Sequence, residues 1–214
     1  DFVYLGFDLA DKYRNPVLIL SDGALGQMME KVEFPDYDPK DHTPVKPWAT
    51  VGKPKERERN IITSLHIQPE KMEDVNMHLQ AKYRAIAEKE VRFETMYTED
   101  AELLIVAYGL VARIAHRAVE LAREHGIRAG LLRPITLFPY PYNALRELAE
   151  QVDGVLVVEM NAGQMVEDVR LAVEGRAPVE FYGRMGGIIP SPEEIVKALG
   201  SVVSKNVELT AKAY

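Results

Sequence analysis

From Glu102 to Gly187 the chain alternates short apolar runs with amphipathic stretches, and this alternation limits the fold more than any other feature. The apolar runs are Leu103-Leu104-Ile105-Val106-Ala107, Ile127 to Leu132, Gly154-Val155-Leu156-Val157-Val158 and Val179-Glu180-Phe181-Tyr182. The stretches between them are helix-like and roughly 10 to 16 residues long. Apolar strands spaced by helices imply an α/β fold, a mostly parallel sheet covered by helices on both faces. Right-handed crossovers follow from strand twist.

In open parallel sheets, ligands bind beyond the carboxyl ends of the strands. Those ends carry Tyr108-Gly109, Arg133-Pro134, Glu159-Met160-Asn161 and Gly183-Arg184. Gly109, Arg133, Glu159, Asn161, Gly163, Gln164 and Arg184 therefore form a candidate strand-end edge, with Arg133, Asn161 and Arg184 expected along one border. Topology alone proposes this site; strand-end loops are polar in any case. Asn161 and Gln164, three residues apart, read as a variant capping box for the next helix. The competing reading is that the backbone N–H groups of Ala162-Gly163 hold an anion.

The 214 residues suffice for one large or two small domains. A net charge of -7 argues against nucleic acid and anionic membrane as main partners. The absence of cysteine removes disulfides, thiolate nucleophiles and cysteine-ligated clusters from this chain. No apolar run approaches the ~20 residues of a membrane span, and no signal peptide is visible. An intracellular, cytoplasmic protein is the expectation. The chain opens at Asp1 without Met and is helical in pattern at once, as a truncated or processed piece of a longer protein would be.

Three domains are expected, over residues 1–33, 34–91 and 92–214. In the first, Phe2 to Arg14 predicts a helix with Val3, Phe7, Ala10 and Tyr13 on one stripe. Asn15-Pro16 breaks it, Pro16 to Ser21 predicts a strand, and Ala24 to Val32 a short helix. One strand cannot bury both faces alone, so its partners must come from elsewhere. The second segment is a connector with Pro35, Pro39, Pro44, Pro47 and Pro54, then a helix over Pro69 to Glu88 striped by Met72, Val75, Leu79, Tyr83 and Ile86. Its Trp48, the only tryptophan, is either an anchor tying the loop to the body or a contact for a partner subunit. In the third, Arg92 to Tyr97 predicts a strand leading into the sheet, Gly126 and Gly175 end helices, and Ser191-Pro192-Glu193-Glu194 starts one that runs to Gly200.

Phosphate-binding glycine motifs and the G-x-S-x-G elbow are absent. Gly183-Arg184-Met185-Gly186-Gly187 reads as a turn, although Arg184 is able to hold a carboxylate or phosphate. The histidines His42, His66, His78, His116 and His125 lack metal-ligand spacing. The residues give a fold and a candidate edge; they do not give a reaction.

Longer stretches carry a resemblance. Phe7-Asp8-Leu9-Ala10-Asp11-Lys12-Tyr13-Arg14-Asn15-Pro16-Val17, with Gly26-Gln27-Met28-Met29-Glu30, resembles the end of the pyrimidine-binding domain of 2-oxoacid:ferredoxin oxidoreductases. Lys46-Pro47-Trp48-Ala49-Thr50 is similar to their inter-domain connector. Leu132 to Pro139, Val158 to Arg170 and Phe181 to Gly187 resemble their second domain, and the nearest type is the 2-ketoisovalerate alpha chain.

The resemblance implies a transketolase C-terminal-like second domain. It also implies a complex that oxidatively decarboxylates a branched-chain 2-oxoacid on thiamine diphosphate and Mg2+. Electrons then pass through iron–sulfur clusters to ferredoxin, and coenzyme A leaves as acyl-CoA. The family's activating glutamate and its substrate-contacting threonine and arginine lie upstream of the stretch that corresponds to this chain. No catalytic, cofactor or metal residue therefore transfers to a numbered position. The expected role is structural, within a complex of several subunits, with no cofactor held by this part. Substrate alternatives are 2-oxoglutarate and pyruvate. Two other readings are a non-catalytic assembly module docking through the sheet edge and Trp48, and a stand-alone nucleotide-binding protein, which the missing phosphate motifs disfavour.

Overall fold

The computed structural model describes residues 2–38, 45–50, 52–53 and 55–211, with side chains up to residue 202. Pro39, Pro44 and Pro54 of the connector, and the tail from residue 212, lie outside the described residues. The chain divides into two compact units: Asp1–Ser21 with Met28–Ile86, and Asp22–Gln27 with Ala87–Tyr214.

The first unit is built on helices α1 (Phe2–Tyr13) and α2 (Pro69–Lys89). Connector side chains are tied to α1: Tyr37 donates to Asp8 at 2.9 Å, and Lys46 pairs with Asp11 at 2.6 Å. The expected stripe of α1 is not buried. Val3 and Phe7 are exposed, and Gly6 is the helix's buried residue. Pro16 to Ser21 is extended but pairs with no strand. Strand hydrogen bonds need a neighbouring strand, and none lies beside it among the described residues. The helix expected over Ala24 to Val32 shrinks to a single 3₁₀ turn, Leu25–Gln27, because Asp22 Oδ1 accepts from the Leu25 N–H at 2.8 Å and fixes a tight turn.

The second unit holds a five-stranded sheet: β1 (Phe93–Met96), β2 (Leu103–Val106), β3 (Ala129–Pro134), β4 (Gly154–Glu159) and β5 (Val179–Gly183). The spatial order is β1-β3-β2-β4-β5. β2, β3, β4 and β5 are parallel, with Leu103 level with Ala129 and Gly154, and Val155 level with Val179. β1 is antiparallel to β3, placing Glu94 opposite Arg133. The third strand starts two residues later than its apolar run, because Ile127 belongs to the preceding helix end. Its N–H bonds to the Ala122 carbonyl while Gly126, at φ +81°, takes the left-handed position.

Helices α3 (Gly109–Glu124) and α6 (Pro192–Ala211) cover one face; α4 (Tyr142–Ala149) and α5 (Met165–Val173) cover the other. Strand period sorts the core. Leu103, Ile105, Leu131, Leu156 and Val158 meet Ala115, Val119, Ile195 and Leu199 on the first face. Leu104, Val106, Leu132, Val155 and Val157 meet Leu145, Val166, Val169 and Val173 on the second. Each of these buried Leu, Ile and Val side chains stabilises by about 1.5–3 kcal/mol. The helix expected to stop at Gly200 continues to Ala211. A glycine inside a helix costs only about 1 kcal/mol, and no left-handed turn forms there. No helix among the described residues is long and apolar enough to cross a membrane.

Candidate functional site at the strand ends

The strand order reverses between β2 and β4, so the crevice of this topology opens beyond those two ends. Glu159, the last residue of β4, faces it and is 1% exposed. A buried carboxylate needs donors, and Glu159 has four. Oε1 accepts from the N–H groups of Gln164 (3.2 Å) and Val166 (3.0 Å). Oε2 accepts from the Met165 N–H (2.9 Å) and from Asn161 Nδ2 (3.0 Å). The carboxylate therefore sits on the amino end of α5, where the helix dipole favours negative charge.

This corrects the capping expectation. Neither Asn161 nor Gln164 caps α5 with its side chain; Gln164 occupies the cap position by its backbone only. Asn161 instead folds on itself, its Oδ1 accepting from Gly163 N–H at 2.7 Å. The anion reading identifies the correct kind of site at the wrong atoms. The anion is the protein's own Glu159, held by the N–H groups of residues 164 to 166 rather than those of 162 and 163.

The β4–β5 border closes around this group. Arg184 N–H donates to the Glu159 carbonyl at 3.1 Å. Gly183 sits where any side chain would run into the Asn161 carbonyl and approach the Phe181 ring to 2.5 Å. The Arg184 guanidinium reaches Glu194 Oε1 at 3.0 Å. Glu194 also closes the capping box of α6, in which Ser191 N–H donates to Glu194 Oε2 (2.8 Å) and Glu194 N–H to Ser191 Oγ (3.2 Å).

Gly109 opens α3 at φ +59°, and a Cβ there would lie 3.7 Å from Asp22 Oδ2. A carboxylate thus stands close to each of the two helix amino ends at the crevice. Glu159, Asn161, Gly163, Gln164 and the Arg184 backbone are brought together. Gly109 lies across the β2–β4 boundary from them. Arg133 is at the same end of the sheet but on β3, three strands and about 14 Å from β5, and its guanidinium pairs with Glu94 at 2.8 Å. Trp48 is not part of this group; it belongs to the first unit, half-buried, with the Arg14 guanidinium 4.8 Å above its ring.

Of three tyrosines near these strand ends, Tyr108 stands in the sequence reading only as part of a strand end, and Tyr140 and Tyr142 are not singled out there. Tyr108 titrates above its ordinary range, through burial and the charge of Glu159. Tyr140 is 5% exposed, and its hydroxyl has no hydrogen-bond partner among the described residues. Burial, followed by Asp168, Tyr142 and Glu159, pushes it further up. Tyr142 donates to Asp168 Oδ1 at 2.6 Å, a bond that with burial pushes it to about 12. The aromatic, proline-rich stretch around Pro139 was the available sign, yet nothing local says which tyrosines turn inward.

The site contains no nucleophile paired with a base. Glu159 is saturated by donors and has no free lone pair suited to abstracting a proton. Thiolate ligands for clusters are absent from the chain, and no three His, Cys, Asp or Glu among the described residues converge as a metal site. The residues of this site therefore offer no thiolates to an iron–sulfur cluster. The arrangement locks two helix ends and two strands into a rigid edge.

Residues 101–195 match Pyruvate:ferredoxin oxidoreductase core domain II. Ketoisovalerate oxidoreductase subunit VorB of Methanothermobacter marburgensis is 44% identical over 206 residues, covering 96% of this chain and 58% of that protein. VorB of Methanothermobacter thermautotrophicus is 45% identical over 202 residues, covering 94% and 56%. 2-Oxoglutarate synthase subunit KorA of Methanothermobacter marburgensis is 33% identical over 223 residues, covering 93% and 60%. The chain thus spans a little over half the length of these relatives. In fold it matches 2-oxoglutarate:ferredoxin oxidoreductase from Magnetococcus marinus, with a TM-score of 0.73 over 94% of this chain and 40% of that one at 21% identity. Along nearly its whole sequence, therefore, the chain is similar to 2-oxoacid oxidoreductase subunits, and more so to VorB than to KorA.

Proposed function

We propose that this chain is part of the alpha subunit of a cytoplasmic 3-methyl-2-oxobutanoate:ferredoxin oxidoreductase, and that its own role is to hold the complex together. The observation that carries the reading is the 44–45% identity to VorB, against 33% to KorA. In this reading thiamine diphosphate, Mg2+ and the iron–sulfur clusters reside in other parts of the complex, which reduces ferredoxin and forms acyl-CoA. The Glu159-centred edge, with its donors already used, supports a supporting role over a catalytic one.

The domain division belongs to the same proposal. Residues 1–33 are the tail of a pyrimidine-binding domain, 34–91 a connector, and 92–214 domain II. Val17 and Ile19 lean on Gly6 of α1, their methyls 3.5 and 3.4 Å from where its Cβ would be. Leu18 and Leu20 point away and are 83% and 73% exposed. That period-two pattern belongs to a strand whose sheet neighbours lie elsewhere in the protein.

The test is to co-express the full-length subunit with its companion subunits. CoA-dependent reduction of a viologen dye is then followed with 3-methyl-2-oxobutanoate, 2-oxoglutarate and pyruvate. The branched substrate should give the highest kcat/KM, by at least tenfold. A higher value with 2-oxoglutarate would move the protein to the KorA function, and no activity with any 2-oxoacid would remove the enzyme reading.

A further inference from the structure

We draw no further inference here: the strongest candidate, the surface patch of exposed apolar side chains from Val17 to Leu20 in the first unit, carries nothing beyond the domain reading already proposed, because nothing in the structure shows what covers it.

Discussion

Glu159 decides the local structure around it. Its carboxylate takes three backbone N–H groups and one side-chain amide, so replacing it strands several buried donors at once. Leaving a buried donor unsatisfied costs about 1–3 kcal/mol. Glu159→Gln keeps the shape but turns an N–H2 toward N–H groups. It should lower unfolding free energy by about 2–4 kcal/mol by that principle, read by urea denaturation; a loss under about 0.5 kcal/mol would show that α5 is capped some other way. Tyr142 gives a pH prediction. Its folded-state pKa is raised to about 12 by the bond to Asp168 and by burial, so the bond stabilises the fold below the ordinary phenol value of ~10. That contribution is lost as pH rises from there through about 12. Asp168→Asn should bring the late tyrosine absorbance step at 295 nm down toward the ordinary value, and Tyr142→Phe should delete it. The same late step in both variants would place the shift elsewhere. The role of Glu159 was not legible in sequence, because Asn161 and Gln164 offer a local capping pattern that masks a carboxylate five to seven positions before the N–H groups it serves.

Helices and strands were legible to the degree that their signals are local. Apolar runs marked β2, β3 and β4, since a strand buried on both faces has few polar positions, whereas β5 at the sheet edge is half-buried and carries Glu180. Ser191 and Glu194 were readable as a capping box and form one. Ser191→Ala should cost about 1 kcal/mol, as N-cap losses do, measured by thermal unfolding. The substitution removes only the Oγ that accepts from the Glu194 N–H, while the Glu194 carboxylate keeps the residue-191 N–H and Arg184 at 3.0 Å; a cost above about 2 kcal/mol would therefore mean that the cap also fixes the β5 end. What local signals missed is what depends on neighbours. The direction of β1 is set by β3, and the apolar run Val17 to Leu20 is strand-like in sequence but has no strand beside it.

At the scale of the molecule the two units differ in what they bury. The second has both sheet faces covered, with Leu104, Ile105, Leu132 and Leu156 at most 1% exposed. The first leaves Leu18, Met29, Phe34 and Ile67 at least 80% exposed. Scattered apolar exposure is ordinary, but Val17 to Leu20 are four consecutive exposed apolar residues. Stability scales with buried apolar area, so the units should part on hydrogen exchange. Amides of β2 and β4 should exchange only through global opening of their unit, and those of α1 and residues 16–20 within seconds to minutes in the isolated 214-residue chain. In the assembled full-length complex the α1 and 16–20 amides should gain at least a hundredfold protection, while those of β2 and β4 change little. Equal slow exchange in both units of the isolated chain would mean that the first unit completes its own core, and the surface of Leu18 and Leu20 would then need no partner.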